Sequence, residues 1–392
     1  MVPIFSSFIM MLVSTLKRCF VRAFLAGLSF FLLLCVSGCS FKTKQSSLDP
    51  KGPIALAQYD LFMVTVWVTL FIFVTVGGAL LWVVWRFRQR PDDDDDHMPN
   101  QSHGNPLVEV GLIVASILLL VIIAVPTLRV LVYTFELPED EGSKLGQWYQ
   151  GPLTEEDAET ILTVNVMGYQ WWWAFEYPQL GITTANELVI PEGKVVKLNL
   201  RSADVIHSFW LPKIAGKVDL IPGRANWMWI KADEPGHYYG QCAEFCGSAH
   251  AYMLFRSDVL SHRDFEAWVE YQKKDAPEAL EVSVAAGERL FAEKTCIQCH
   301  TIRGNQYAMG IKGPDLTHVA SRKSLAAGIM DNRGVDGRID RLKQRENLFE
   351  WIKNSQHIKP GNLMYHDDAG LKTVPLSDDD VHKIVAYLQT LN

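Results

Sequence analysis

The sequence predicts a multidomain chain: an N-terminal two-helix transmembrane hairpin, an all-β domain and a C-terminal all-α domain. Two apolar runs, 61–85 and 107–131, are each long enough to cross hydrocarbon as a helix. Beyond them, short β-prone runs at 161–167, 171–177, 187–190, 195–200 and 227–231 are punctuated by Pro and Gly, which suggests a sandwich or barrel. Near the end, Val381, Ile384, Val385 and Leu388 recur at helical spacing behind Ser377, a candidate N-cap. A chain of 392 residues has room for two or three domains. The expected boundaries are a leader over 1–38, the hairpin over 39–135, a β domain over 154–270, a polar linker over 271–283 and a helical domain over 284–392.

Lys17, Arg18 and Arg22 precede the apolar stretch 23–36, which ends in Val36-Ser-Gly-Cys39, so the N-terminus reads as a secretory signal. The ending resembles the bacterial lipoprotein box, which implies cleavage before Cys39 and a lipid on its sulfur. A third, uncleaved helix is the alternative. Arg86, Arg88 and Arg90 close the first span and hold that end in the cytoplasm, which places everything after the second span outside the cell membrane. The acidic run 92–96 shares the short cytoplasmic loop and receives no function.

The β region carries Cys242-Ala-Glu-Phe-Cys-Gly-Ser-Ala-His-Ala-Tyr-Met253, with His207 upstream in a strand-like run. Thiolate, imidazole and thioether sulfur are the ligands that select copper in electron-transfer sites. Cys242, Cys246, His207, His250 and Met253 together exceed the four ligands of a closed zinc site. Of seven cysteines, Cys19, Cys35 and Cys39 belong to the leader and its end, and the other four form two close pairs beside histidines. Ligand spacing favours metal chemistry over a disulfide framework.

The second pair lies in Cys296-Ile-Gln-Cys-His300, the CxxCH pattern of covalent c-type haem attachment. Two thioethers hold the porphyrin and the histidine binds iron. Met309, Met330 and Met364 are the downstream candidates for the sixth ligand.

Four motifs, Gly168-Tyr-Gln-Trp-Trp-Trp-Ala-Phe-Glu-Tyr177, Asp204-Val-Ile-His-Ser-Phe-Trp210, Asp219-Leu-Ile-Pro-Gly-Arg224 and 240–253, stand in the order found in subunit II of haem-copper cytochrome c oxidases. The span 61–268 resembles that family, and the whole chain resembles its caa-type members, which fuse a cytochrome c to the C-terminus. The resemblance implies an all-β cupredoxin domain holding the binuclear copper centre CuA, followed by an all-α class I cytochrome c domain. It implies that Cys242 and Cys246 bridge two coppers, His207 and His250 each terminate one, Met253 is a weak axial ligand and Glu244 gives its backbone carbonyl. The Glu244 side chain would reach a magnesium ion at the border with subunit I.

By the same resemblance Trp171 is an exposed electron-entry residue, and Glu109 is a carboxylate at the mouth of a proton pathway into subunit I. Leu112 and Ser116 replace the family's Trp and Pro in that helix. Gly287-Glu-Arg-Leu-Phe291 is similar to the first cytochrome c helix, Pro314 of Gly313-Pro-Asp-Leu316 supplies the carbonyl that orients His300, and Lys359-Pro-Gly-Asn-Leu-Met-Tyr365 singles out Met364 as the distal ligand. The implied partners are subunits I and III, a c-type cytochrome donor and the membrane. A quinol-oxidase subunit II would lack the copper ligands that this sequence retains.

The formal charge of −7 falls to −10 once Lys17, Arg18 and Arg22 are removed with the leader. Acidity argues against nucleic acid and suits a basic protein donor.

Overall fold

The computed structural model describes residues 42–88, 90, 104–135, 161–364 and 374–392, with isolated positions 22, 26, 27 and 29. Cys39, nearly all of the expected leader and the acidic run 92–96 lie outside the described residues. Helix α1, Pro53–Arg86, opens with proline in its first turn, where a missing N–H costs nothing. Helix α2, Pro106–Phe135, contains Pro126. The two pack against one another, and both are long and apolar enough to cross a membrane. Their apolar residues face outward all round, as Trp67 and Phe73 do, an arrangement that suits lipid. Helix α1 starts eight residues before the apolar run because its first turn serves another purpose: Ile54 and Ala55 are buried, and Ile54 joins the β-domain core. At the same end of the hairpin, near the C-terminus of α2, Tyr133 meets Trp229 edge to face at 5.6 Å.

Ten strands follow: β1 Leu162–Tyr169, β2 Trp172–Tyr177, β3 Ile182–Ala185, β4 Glu187–Pro191, β5 Val196–Ser202, β6 His207–Trp210, β7 Lys217–Leu220, β8 Asn226–Ile230, β9 Gly236–Cys242 and β10 Leu254–Leu260. They form two sheets, ordered β3-β2-β1-β5-β8 and β4-β10-β9-β6-β7. Pairing is antiparallel except for β1 with β5 and β10 with β4. Alternate residues such as Val164 and Val166, or Val196, Leu198 and Leu200, turn inward. Between the sheets Phe209 and Phe255 stack at 4.5 Å, with Trp173 edge-on to Phe209 at 5.9 Å. Gly240 makes room for them, since a Cβ there would lie 2.1 Å from the Phe255 ring. This aromatic layer stiffens the ends of β6, β9 and β10.

Helix α3, His262–Gln272, closes the β domain, with Ser261 accepting the Asp264 N–H as its cap. The C-terminal domain holds α4 Val282–Glu293, the two-residue strands β11 Ser324–Leu325 and β12 Met330–Asp331, α5 Arg341–Lys353, the single turn α6 Ser355–Ile358 and α7 Asp378–Leu388. Ser377 and Asp380 form a reciprocal capping box on α7. Helices α4 and α7 cross at Gly287, where any Cβ would lie 2.1 Å from the Lys383 carbonyl. The mixed charges and glycines of 332–345 read as a surface insertion or helix face, and most of the stretch is exposed and leads into α5, with Asn332 and Gln344 as its buried members. Gln344 in the first turn of α5 is fully buried and donates to the Ala320 carbonyl at 3.0 Å.

The two globular domains meet through polar contacts. The buried Glu187 carboxylate accepts the Ser324 N–H at 2.7 Å and the Ser324 hydroxyl at 3.0 Å. Lys323 pairs with Asp258 at 3.1 Å, Arg333 donates to the Tyr239 hydroxyl at 2.9 Å, and Arg256 donates to the Gly328 carbonyl. Burial, reinforced by Asp258, pushes the Glu187 carboxyl up from 4.5 to about 7. Between those values the folded chain keeps a proton that the unfolded chain has released. Stability therefore falls as pH rises through that window, by up to roughly 3 kcal/mol. Thermal melts across pH 4.5–7 are expected to show this loss, and Glu187→Gln to flatten it; equal slopes in both proteins would contradict the assignment.

Candidate metal centre and haem-attachment site

Strand β9 ends on Cys242 and β10 begins at Leu254, so adjacent antiparallel strands hold both ends of loop 243–253. The Cys242 N–H donates to the Met253 carbonyl at 2.9 Å and closes the neck of the loop. The Ala243 N–H donates to Ser208 at 3.0 Å, tying the loop to β6, which starts at His207. The sulfurs of Cys242 and Cys246 are thereby 3.8 Å apart. His207 Nδ1 lies 4.0 Å from the Cys242 sulfur, His250 Nδ1 3.5 Å from that of Cys246, and the Met253 thioether 3.8 Å from the latter. The Glu244 carbonyl is 3.2 Å from the Cys242 sulfur, while its side chain is exposed. All six predicted donors converge in one place.

The donor set fits soft metal ions. Metal bonds of about 2.0–2.3 Å to nitrogen and sulfur let one ion sit between a thiolate and an imidazole at the observed spacings. His207, Cys242 and Cys246 offer ligand atoms within 4.8 Å of one another. His207 is fully buried and turns Nε2 to the Asp204 carboxylate at 2.8 Å, which leaves Nδ1 for metal. Asp204 itself accepts the Gln170 N–H at 2.6 Å. Gly168 is required beside this ring, since a Cβ there would lie 2.8 Å from His207 Cδ2. Hydrogen bonding from Cys246, aided by His207, holds the Cys242 thiol down to about 4, whereas the neighbouring Cys242 thiolate and burial push Cys246 up. A cation bridging both sulfurs removes that conflict.

Asp204 and Gly168 lay inside quoted motifs without a role, and the spacing of Asp204 three residues before His207 was the available signal. Trp171 differs from expectation in its surroundings: it is only 8% exposed, and its indole N–H donates to the Cys246 carbonyl at 2.9 Å. Gln170 donates to the same oxygen at 2.8 Å. Glu109 stands exposed in the first turn of α2.

In the C-terminal domain a short 3₁₀ turn at Cys296–Gln298, with Cys299 as its C-cap, sets both attachment positions just before His300. His300 Nδ1 donates to the Pro314 carbonyl at 2.8 Å, so Nε2 is the nitrogen left for iron. Gly313 permits this approach, since its Cβ would fall 2.7 Å from the His300 ring. Burial pulls the His300 pKa down and keeps the ring neutral, the form a metal needs. Met364 packs against the domain core with Cys296, Ile297 and Leu316; Met330 also packs there, while Met309 is 74% exposed. Cys242, Cys246, Cys296 and Cys299 are all free thiols.

Comparison with known proteins agrees with this geometry. Residues 180–258 match the family of the cytochrome c oxidase subunit II periplasmic domain, and residues 284–392 match the cytochrome c family. The cytochrome c oxidase subunit 2 of Alkalihalophilus pseudofirmus is 35% identical over 92% of this chain and 95% of its own length. The chain belongs to the cytochrome c oxidase subunit 2 family. The Bacillus subtilis relative is 33% identical over 91% of this chain and 94% of its own. A solved structure, the periplasmic domain of subunit II from Bradyrhizobium japonicum, is 38% identical, covers 29% of this chain and 93% of that one, and has a TM-score of 0.28.

Family membership makes the chain an oxidoreductase subunit with a role in electron input, and its two domains imply copper and haem c as cofactors. Asp204→Asn keeps the shape of the His207 contact but removes its charge. Copper affinity, followed by chelator competition, is expected to fall roughly 10–100-fold; an unchanged affinity would remove Asp204 from the site.

Proposed function

We propose that this chain is the electron-input arm of a proton-pumping terminal oxidase. Cys296 and Cys299 would hold a haem c, with His300 and Met364 as its ligands, to take electrons from a c-type cytochrome. His207, Cys242, the Glu244 carbonyl, Cys246, His250 and Met253 would hold the copper of CuA, which would supply electrons to haem a in subunit I for the reduction of O2 to water. The observation that carries this reading is the convergence of two thiolates, two imidazoles and a thioether from β6, the end of β9 and the loop after it, in a chain that also presents an oriented CxxCH histidine.

The bound cofactors would supply reversible one-electron chemistry, with Cys242 and Cys246 as the thiolates that hold copper. The protein supplies the rest. Strands β6, β9 and β10 fix the ligands, so little reorganises when charge arrives. Pro314 fixes the tautomer of His300 and raises its basicity, and Met364 as the second ligand would raise the haem potential. Buried beside Cys246, Trp171 lies on the route toward the thiolates. Glu109 and the Glu244 side chain, both exposed, are available to subunit I as the mouth of a proton path and a magnesium ligand. The hairpin anchors the chain in the bacterial inner membrane, both globular domains lie on the outer side, and cleavage with lipidation at Cys39 completes the anchor.

Purified from membranes, the chain is expected to carry two coppers and one covalent haem and to bring subunit I with it; zinc, or isolation as a lone chain, would overturn the reading. Met364→Ala is expected to abolish the methionine-to-iron absorption band and lower the haem potential. Persistence of that band would transfer the role to Met330.

A further inference from the structure

Segment 359–364 precedes and includes the distal methionine, and it lies directly on the thiolate loop. Lys359 is 3% exposed and donates from Nζ to the Trp171 carbonyl at 2.5 Å. Burying a lysine is costly, and the groups it meets are the Trp171 carbonyl and the Cys246 sulfur, so its position is tied to the copper loop. Gly361, at φ +86°, runs so close to the copper loop that a Cβ would lie 2.3 Å from Ser248 Oγ. The segment is internally braced: Gln356 accepts the Gly361 N–H at 2.7 Å, and Asn362 spans Ser355 at 3.0 Å and the Lys359 carbonyl at 2.8 Å. A continuous path of short contacts therefore joins the methionine segment to Cys246: Lys359 to the Trp171 carbonyl, then the Trp171 indole to the Cys246 carbonyl.

We propose that Lys359 is a positioning residue that pins segment 359–364 over Trp171, making this segment the doorway into the copper site and the haem domain the docking surface for an external donor. The inference rests on the haem-to-copper relay proposed above. The step it governs moves one electron from ferrous haem, oxidised to ferric, to the copper pair, reduced by one; no bond forms or breaks. The contacts at Glu187, Asp258 and Arg256 hold the same pose from a distance, so the pin adds local registry to a domain that is already docked.

The test uses the complete oxidase with both cofactors loaded. Lys359→Met keeps the buried volume and removes the donor, and Ser324→Glu sets a third carboxylate beside Glu187 and Asp258, far in sequence from both sites. Two quantities are read: relaxation enhancement of the CuA resonance by ferric haem c, which reports the pose without turnover, and the rate of haem-to-copper transfer after photoreduction. Both variants are expected to weaken the enhancement and to slow transfer roughly tenfold or more. In both, exogenous cytochrome c is expected to gain direct access to copper while the haem is held reduced. Unchanged enhancement and rate in Lys359→Met overturn the pin; if that variant loses copper, Ser324→Glu decides on the same readouts. Absence of haem-to-copper transfer in the unmodified oxidase would instead defeat the relay itself.

Discussion

The closed neck of loop 243–253 is the constraint on which the rest depends. Two thiols 3.8 Å apart in a buried site oppose one another once both ionise, and a free loop would separate them. Here adjacent antiparallel strands fix Cys242 and Leu254, and a hydrogen bond from Cys242 to Met253 locks the register between them. The strands are in turn held by the aromatic layer of Trp173, Phe209 and Phe255, which Gly240 admits. The copper domain thus prepares a thiolate at Cys242 beside a thiol at Cys246 whose ionisation is disfavoured, and a metal cation removes that penalty.

The junction of the two domains works by a different physics. Apolar burial would hold the domains together but tolerate sliding, because it is non-directional. Buried polar pairs tolerate little, since each displaced partner leaves an unsatisfied group. Glu187 with Ser324, Asp258 with Lys323 and Lys359 with Trp171 therefore define one pose at some cost in stability. A tether alone raises the local concentration of the haem domain. Only the directional contacts give it an orientation.

Much of this was legible in the sequence. The hairpin, the β domain and α7 with its Ser377 cap follow from hydropathy and periodicity, and the ligands follow from residue chemistry and motif. Strands β3, β7, β9 and β10 were missed because their short, charged or glycine-bearing segments, such as Lys217–Leu220 and Gly236–Cys242, carry no clear signal. Gln344 escaped notice because its neighbours are charged, although its side chain satisfies a core carbonyl. The burial of Trp171 was illegible for a deeper reason: its indole packs onto Cys246, 75 residues away, its carbonyl meets Lys359, 188 residues away, and no local pattern encodes either contact.

That burial also revises the electrostatic expectation. The acidity of the whole chain suggested attraction for a basic donor, yet residues 284–392 carry 15 Lys and Arg against 13 Asp and Glu, a formal +2. Much of the negative charge lies instead in segments such as 92–96 and 137–157. On the proposed relay, a donor meets the haem domain, whose field is close to neutral at distances beyond a Debye length. Encounter is then governed by the local surface around the haem edge, and long-range steering contributes little. A permanently docked haem domain can tolerate this, because the step into copper no longer depends on diffusion.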